Sequence, residues 1–211
     1  MVTAGYNTIM LLSLLFQNPI LFLLVAIALV ISISLHEFAH AYMADRLGDS
    51  TARDMGRVTL NPLAHLDPLG TVLLLVAGFG WGKPVPFNPM YLKNPKRDAA
   101  LISVAGPLSN FLLASGAAIL FRLSSGAPLF SSFFYFVVFF NLILGFFNLI
   151  PLHPLDGFKV VYGLLSDDLA MQWGQIAPYG IYILLLLVVT RSLSMVLNPL
   201  VFWALGVLGV G

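Results

Sequence analysis

The pentapeptide His36-Glu37-Phe38-Ala39-His40 sets two imidazoles four residues apart with a carboxylate between them. On a helix, positions i and i+4 lie one above the other, so both rings can offer nitrogens to a single Zn2+. Glu37 then stands beside the metal, where it can take a proton from bound water. A catalytic zinc usually has three protein ligands and one open position, so a third ligand must come from elsewhere in the chain. There is no cysteine, which leaves His, Asp or Glu. The candidates are His65, Asp67, His153 and Asp156; the pairs Asp45/Asp49 and Asp167/Asp168 sit among charged or loop residues and suit the role less. Five-residue patterns do arise by chance, and a water-facing polar cluster at a helix end is the competing reading. Against it, this one takes two of the four histidines and the only glutamate in 211 residues, at the end of an apolar run from Pro19 to Val30. An ionisable group so placed is a functional hypothesis by default.

The chain around these residues is 59% hydrophobic and 9% charged, with a mean hydropathy of +0.95. Soluble domains carry roughly 25% charged residues. The composition therefore predicts an all-α polytopic membrane protein forming a single domain over residues 1–211, with its core at 19–160 and C-terminal helices at 171–210. A net charge of +1 without a basic patch excludes a nucleic-acid partner. Residues 1–18 hold no Lys or Arg and no small-residue cleavage site, so an interfacial lead-in is expected there rather than a cleaved signal.

Five stretches have spanning length, at 19–43, 98–122, 127–150, 171–190 and 192–210, near the ~20 residues a bilayer requires. Asn198 and Pro199 interrupt the last, which leaves five or six transmembrane helices in all. Leu69 to Trp81 is also apolar, but as a helix it reaches only roughly 20 Å, too short for a ~30 Å core. It reads as a re-entrant segment. The flanking "GRVTLNPLAHLDP" and "GKPVPFNPMYLKNP" read as extended chain and turns, with short strands expected near residues 56–90 whose open edge could pair with an unwound peptide.

The basic residues decide between dipping and crossing. If the segment dips, Arg46, Arg53, Arg57, Lys83, Lys93, Lys96, Arg97 and Lys159 share one side, and only Arg122 and Arg191 lie opposite; if it crosses, the bias vanishes. The dipping arrangement makes the basic side cytoplasmic. It also brings the ends of 19–43 and 127–150 to the same side, so that HEFAH and Asp156 can meet. Crossing would part them by about 30 Å.

Four motifs now stand in order: "HEFAH" on the first membrane helix, "NPLAHLDPLGT" followed by "GWGKPVPFNP", "AGPLSNFLLA", and "FNLIPLHPLDG" after the 127–150 helix. Together, over residues 32 to 160, they resemble the site-2 protease family of intramembrane zinc metalloproteases. The resemblance implies one Zn2+ per chain held by His36, His40 and Asp156, with Glu37 as general base. Asn148 matches the family's asparagine thought to assist at the reacting carbonyl. The family pattern usually has proline where this chain has His153. The peptide-binding PDZ module of some members is absent, so selection of substrate by such a module is not expected.

The implied reaction is hydrolysis of a peptide bond within or near a transmembrane helix of another protein, as in regulated intramembrane proteolysis, in the lipid bilayer of a prokaryotic cell membrane. Zinc acidifies water and polarises the carbonyl, Glu37 moves the proton, and Asn148 could donate to the oxyanion. Water is expected to arrive from the cytoplasmic side past Asp45, Arg46 and the re-entrant segment. Two other functions compete. A divalent-metal transporter would spread ligands along a route through several helices, whereas the outer half of every helix here lacks His, Asp and Glu. An inactive scaffold relative would typically lose the base or a ligand, and this chain keeps them all. Plainer readings cover the remaining residues. His65 is expected to satisfy a backbone group, His153 to sit at the interface or beside the metal, Asn110 to serve helix packing, and the aromatic-rich stretch Phe133 to Phe147 to face lipid or neighbours. Lys93, Lys96 and Arg97 are topology determinants near anionic headgroups.

Overall fold

Prolines mark where this chain enters its longer helices, because a proline at the first helical position forfeits no hydrogen bond and brings its φ already set. The computed structural model describes residues 11–77, 80–124 and 126–211. A short helix α1 (Leu11–Gln17) leads into α2 (Pro19–Arg46), whose cap residue Asn18 accepts the Leu21 amide on its side chain. Most of the expected lead-in, from Met1, lies outside the described residues. Past the end of α2, Gly48 takes a φ of +109°, a conformation that favours glycine, and the chain turns into α3 (Thr51–Asp54). The remaining helices are α4 (Pro68–Ala77), α5 (Pro95–Leu123), α6 (Pro128–Asn148), α7 (Asp156–Leu164), α8 (Asp167–Gln175), α9 (Ala177–Val189) and α10 (Ser192–Leu208).

Among the described residues, only α2, α5 and α6 are each long and apolar enough to cross a membrane; α8 and α9 make a fourth span if taken together across their 55° bend. The described residues thus support three to four spans rather than the five or six expected. The expected 171–190 helix breaks at Ile176, because Pro178 has no amide to donate back to the Gly174 carbonyl and its ring crowds that carbonyl. α10 does continue through Pro199, but it has 17 residues. The strands expected near 56–90 reduce, among the described residues, to one antiparallel bridge between Leu66 and Gly82. Prolines at 62, 68, 84, 86 and 89 remove the amide donors a longer ladder needs.

That bridge, with the Lys83 amide donating to the His65 carbonyl at 2.7 Å, returns the chain after α4 to the level where it left. Gly70 and Gly80 lie so close that a Cβ on Gly80 would come 2.1 Å from the Gly70 carbonyl oxygen. The short apolar segment thus doubles back; Gly78 and Phe79 lie outside the described residues.

The helices meet on small side chains. Ala28, Ala114, Ala117 and Ala118 pack with Val137, Val138, Leu142, Val201, Ala204 and Leu205 in one buried cluster joining α2, α5, α6 and α10. Small residues let helix backbones approach closely where lipid gives no hydrophobic drive to associate. Large apolar side chains point outward instead, as with Ile20, Leu23, Ile27 and Ile31 along α2.

Candidate metal centre

His36 and His40 lie one turn apart on the buried face of α2 and pack against α5. Three positions of α5, each four residues from the next, receive them. The Ile102 carbonyl accepts from His40 Nδ1 at 2.7 Å, and Asn110 Oδ1 accepts from His36 Nδ1 at 2.7 Å. Between these, Gly106 leaves room for both rings, since a Cβ there would stand 2.4 Å from His40 Nε2. Asp156 arrives from the other direction, as the first residue of α7. Gly157 allows this: a Cβ on it would come 2.3 Å from the Leu149 carbonyl oxygen, so only glycine lets α7 tuck under the end of α6.

His36 Nε2 and His40 Nε2 are 3.0 Å apart, and Asp156 Oδ2 lies 3.2 Å from the first and 3.1 Å from the second. Because both Nδ1 atoms face acceptors, both carry their proton there, and each Nε2 presents a lone pair. The 3.0 Å approach is therefore no hydrogen bond. Two lone pairs and a carboxylate oxygen converge on one point, which is favourable when a cation occupies it. Ligands about 2.0–2.2 Å from a tetrahedral zinc stand roughly 3.3–3.5 Å apart, close to the observed triangle. The donor set fits the metal.

The three side chains border a cavity of about 380 Å3 that is also lined by Glu37, Asn148, Ser103 and the extended segment from Gly80 to Phe87. Glu37 Oε1 lies near Gly82, 3.4 Å from where its Cβ would be. Asn148 Nδ2 donates to the Leu144 carbonyl of its own helix at 3.0 Å. The extended segment is fixed at two places. Arg57 donates to the carbonyls of Lys83 and Pro84, at 2.5 and 3.2 Å, and the buried Asp49 accepts the amides of Thr51 and Asn88, at 3.0 and 2.6 Å. Asp45 and Arg46, expected beside a water path, do not line this cavity. Asp45 pairs with Arg53, and Arg46 caps the Tyr42 ring and bonds its hydroxyl.

The other candidate ligands are used elsewhere. His65 is fully buried and Nε2 donates to the Thr59 carbonyl at 2.7 Å, the backbone-satisfying role expected of it. Asp67 caps α4 through the Gly70 amide, and Asp167 pairs with Lys96. His153 stands edge-on to Phe158, where burial and then the charge of Lys159 push its imidazole below the usual histidine range. Asn110 does bond across helices, but to His36 as well as to Asn141. Its bond to His36, and that of Asn141 in the aromatic-rich stretch to Asn110, escaped the sequence reading. The available signal was two amides inside apolar helices.

The family model for peptidase family M50 matches residues 24–132 and 123–189. The chain is 42% identical over 186 residues to "Putative zinc metalloprotease YwhC" of Bacillus subtilis (strain 168), covering 82% of this chain and 84% of that protein. It is 31% identical over 197 residues to "Putative zinc metalloprotease Rip2" of Mycolicibacterium smegmatis, covering 90% and 75%. It is also 29% identical over 154 residues to "Zinc metalloprotease MJ0392" of Methanocaldococcus jannaschii, covering 71% and 37%. No solved structure matches the chain.

Proposed function

This chain belongs to peptidase family M50, the site-2 proteases, and is a zinc metalloprotease; from that premise we propose that it hydrolyses a peptide bond within or beside a membrane-spanning helix of another protein. The observation that carries the reading is the convergence of His36, His40 and Asp156 beside Glu37, in a cavity at the end of two apolar helices.

His36, His40 and Asp156 would hold the zinc. When bound, zinc would lower the pKa of a water there to about 7 and polarise a carbonyl. Glu37 accepts the water proton and delivers it to the leaving amine. Asn148 can release the Leu144 carbonyl and turn its amide toward the oxyanion that develops at the scissile carbon. A substrate helix hides its carbonyls in hydrogen bonds, so it must unwind before attack, and Gly or Pro near the cut favours this. The extended segment from Gly82 to Phe87, held by Arg57 and Asp49, offers backbone groups along which an unwound strand can lie. The eight basic residues at the metal-bearing end support a cytoplasmic-facing site in the cell membrane.

The test is cleavage of a reporter transmembrane peptide by wild type and Glu37→Gln. Loss of cleavage with zinc still bound supports Glu37 as the base. Unchanged cleavage removes Glu37 from the mechanism.

A further inference from the structure

Behind His36, away from the cavity, three fully buried polar side chains join α2, α5 and α6. Asn141 Nδ2 donates to the Val137 carbonyl and to Ser32 Oγ, both at 2.7 Å. Asn110 Nδ2 donates to Asn141 Oδ1 at 2.7 Å and to the Ser32 carbonyl at 3.3 Å, and Ser32 Oγ donates to the Ala28 carbonyl at 2.7 Å. The direction of this chain of bonds is settled at its far end. A backbone carbonyl can only accept, so Asn141 turns its amide nitrogen to Val137 and its oxygen to Asn110. Asn110 must then meet that oxygen with its own nitrogen, which turns its oxygen to His36 Nδ1. The proton of His36 is placed on Nδ1, and the Nε2 lone pair faces the metal position. His40 needs no such arrangement, because its Nδ1 meets the Ile102 backbone carbonyl directly.

We propose that Asn141 and Asn110 are positioning residues, a buried amide relay that runs from the Val137 carbonyl to His36 and holds it in the zinc-binding tautomer. The proposal rests on the metal-centre reading above. Packing alone would be met by an apolar residue of similar size, whereas three buried polar groups in an apolar bundle are costly unless each is satisfied and oriented. Outer partners of this kind fix the ring and raise its basicity toward the metal.

The test uses the full chain purified in detergent micelles as wild type, Asn110→Leu, Asn110→Asp, Asn141→Leu and His36→Ala. Zinc affinity is measured by competition with a chromophoric chelator, and the histidine ring nitrogens of the metal-free protein are read by 15N NMR. Asn110→Leu is expected to weaken zinc binding about 10- to 100-fold and to release His36 from the Nδ1–H form. Asn110→Asp, as the neutral acid, keeps an oxygen to accept from His36 Nδ1 and an O–H to donate to Asn141 Oδ1, and should bind zinc nearly as wild type. Asn141→Leu, which leaves Asn110 unoriented, should move both readouts in the same direction by less, and serves if Asn110→Leu does not fold. If the Leu variants match wild type while His36→Ala loses zinc, the relay is wrong and the metal centre stands. Equal weakening by Asn110→Asp and Asn110→Leu assigns the effect to packing and overturns the relay. Wild-type zinc affinity in His36→Ala overturns the metal centre, and the relay with it.

Discussion

A methyl group on Gly106 would reach 2.4 Å from His40 Nε2 and 2.6 Å from His36 Cε1, far inside van der Waals contact. The two imidazoles are therefore seated on bare backbone of α5, and any side chain there must push the rings or the helix aside. Gly106→Ala is expected to reduce bound zinc well below that of wild type, read by elemental analysis of the purified protein. Wild-type zinc content in that variant would show that α5 does not seat the rings. His65 and His153 make the contrast at the same scale. Both are histidines near the motifs, yet one donates to a backbone carbonyl and the other leans on Phe158.

Between the helices, the extended segment from Gly82 to Asn88 has little pairing of its own and depends on side chains from the turn after α2. Asp49 is wholly buried and takes the amides of Thr51 and Asn88. Truncating it strands both donors, at a cost of about 1–3 kcal/mol for each. Asp49→Ala is expected to lower the apparent Tm and to speed amide hydrogen exchange across residues 83–88. Exchange there at the wild-type rate would mean the segment is held by other means. Gly157 acts at this scale too, since the backbone of Leu149 and Ile150 fills the space where its Cβ would be. The entry of α7, and with it Asp156, is set by that contact.

Along α5 as it crosses the molecule, alanines face inward while several leucines face outward. Ala117 is 3% exposed and Leu112, on the same helix, is 65% exposed. Ala117→Leu must separate helices that approach closely and should cost about 1–3 kcal/mol, seen as a lower apparent Tm in detergent. Leu112→Ala should change it little. Equal losses would mean that the outer face is covered by protein.

Much of this was written in local pattern. The His-x-x-x-His spacing on an apolar helix set both imidazoles on one face, because helical periodicity alone brings i and i+4 together. Composition and the run of apolar segments determined a helical membrane protein, and charge bias brought Asp156 to the side of HEFAH. Tertiary structure alone decided the rest. Whether 171–190 stayed one helix depended on a proline at a break, and whether the residues near 56–90 formed strands depended on donors that prolines remove. Asn110 and Asn141 are 31 residues apart in sequence, and Asn110 is 74 from His36, so no local periodicity could join them. Their hydrogen bonds exist only once three helices are packed, because an amide's orientation is settled by what faces it.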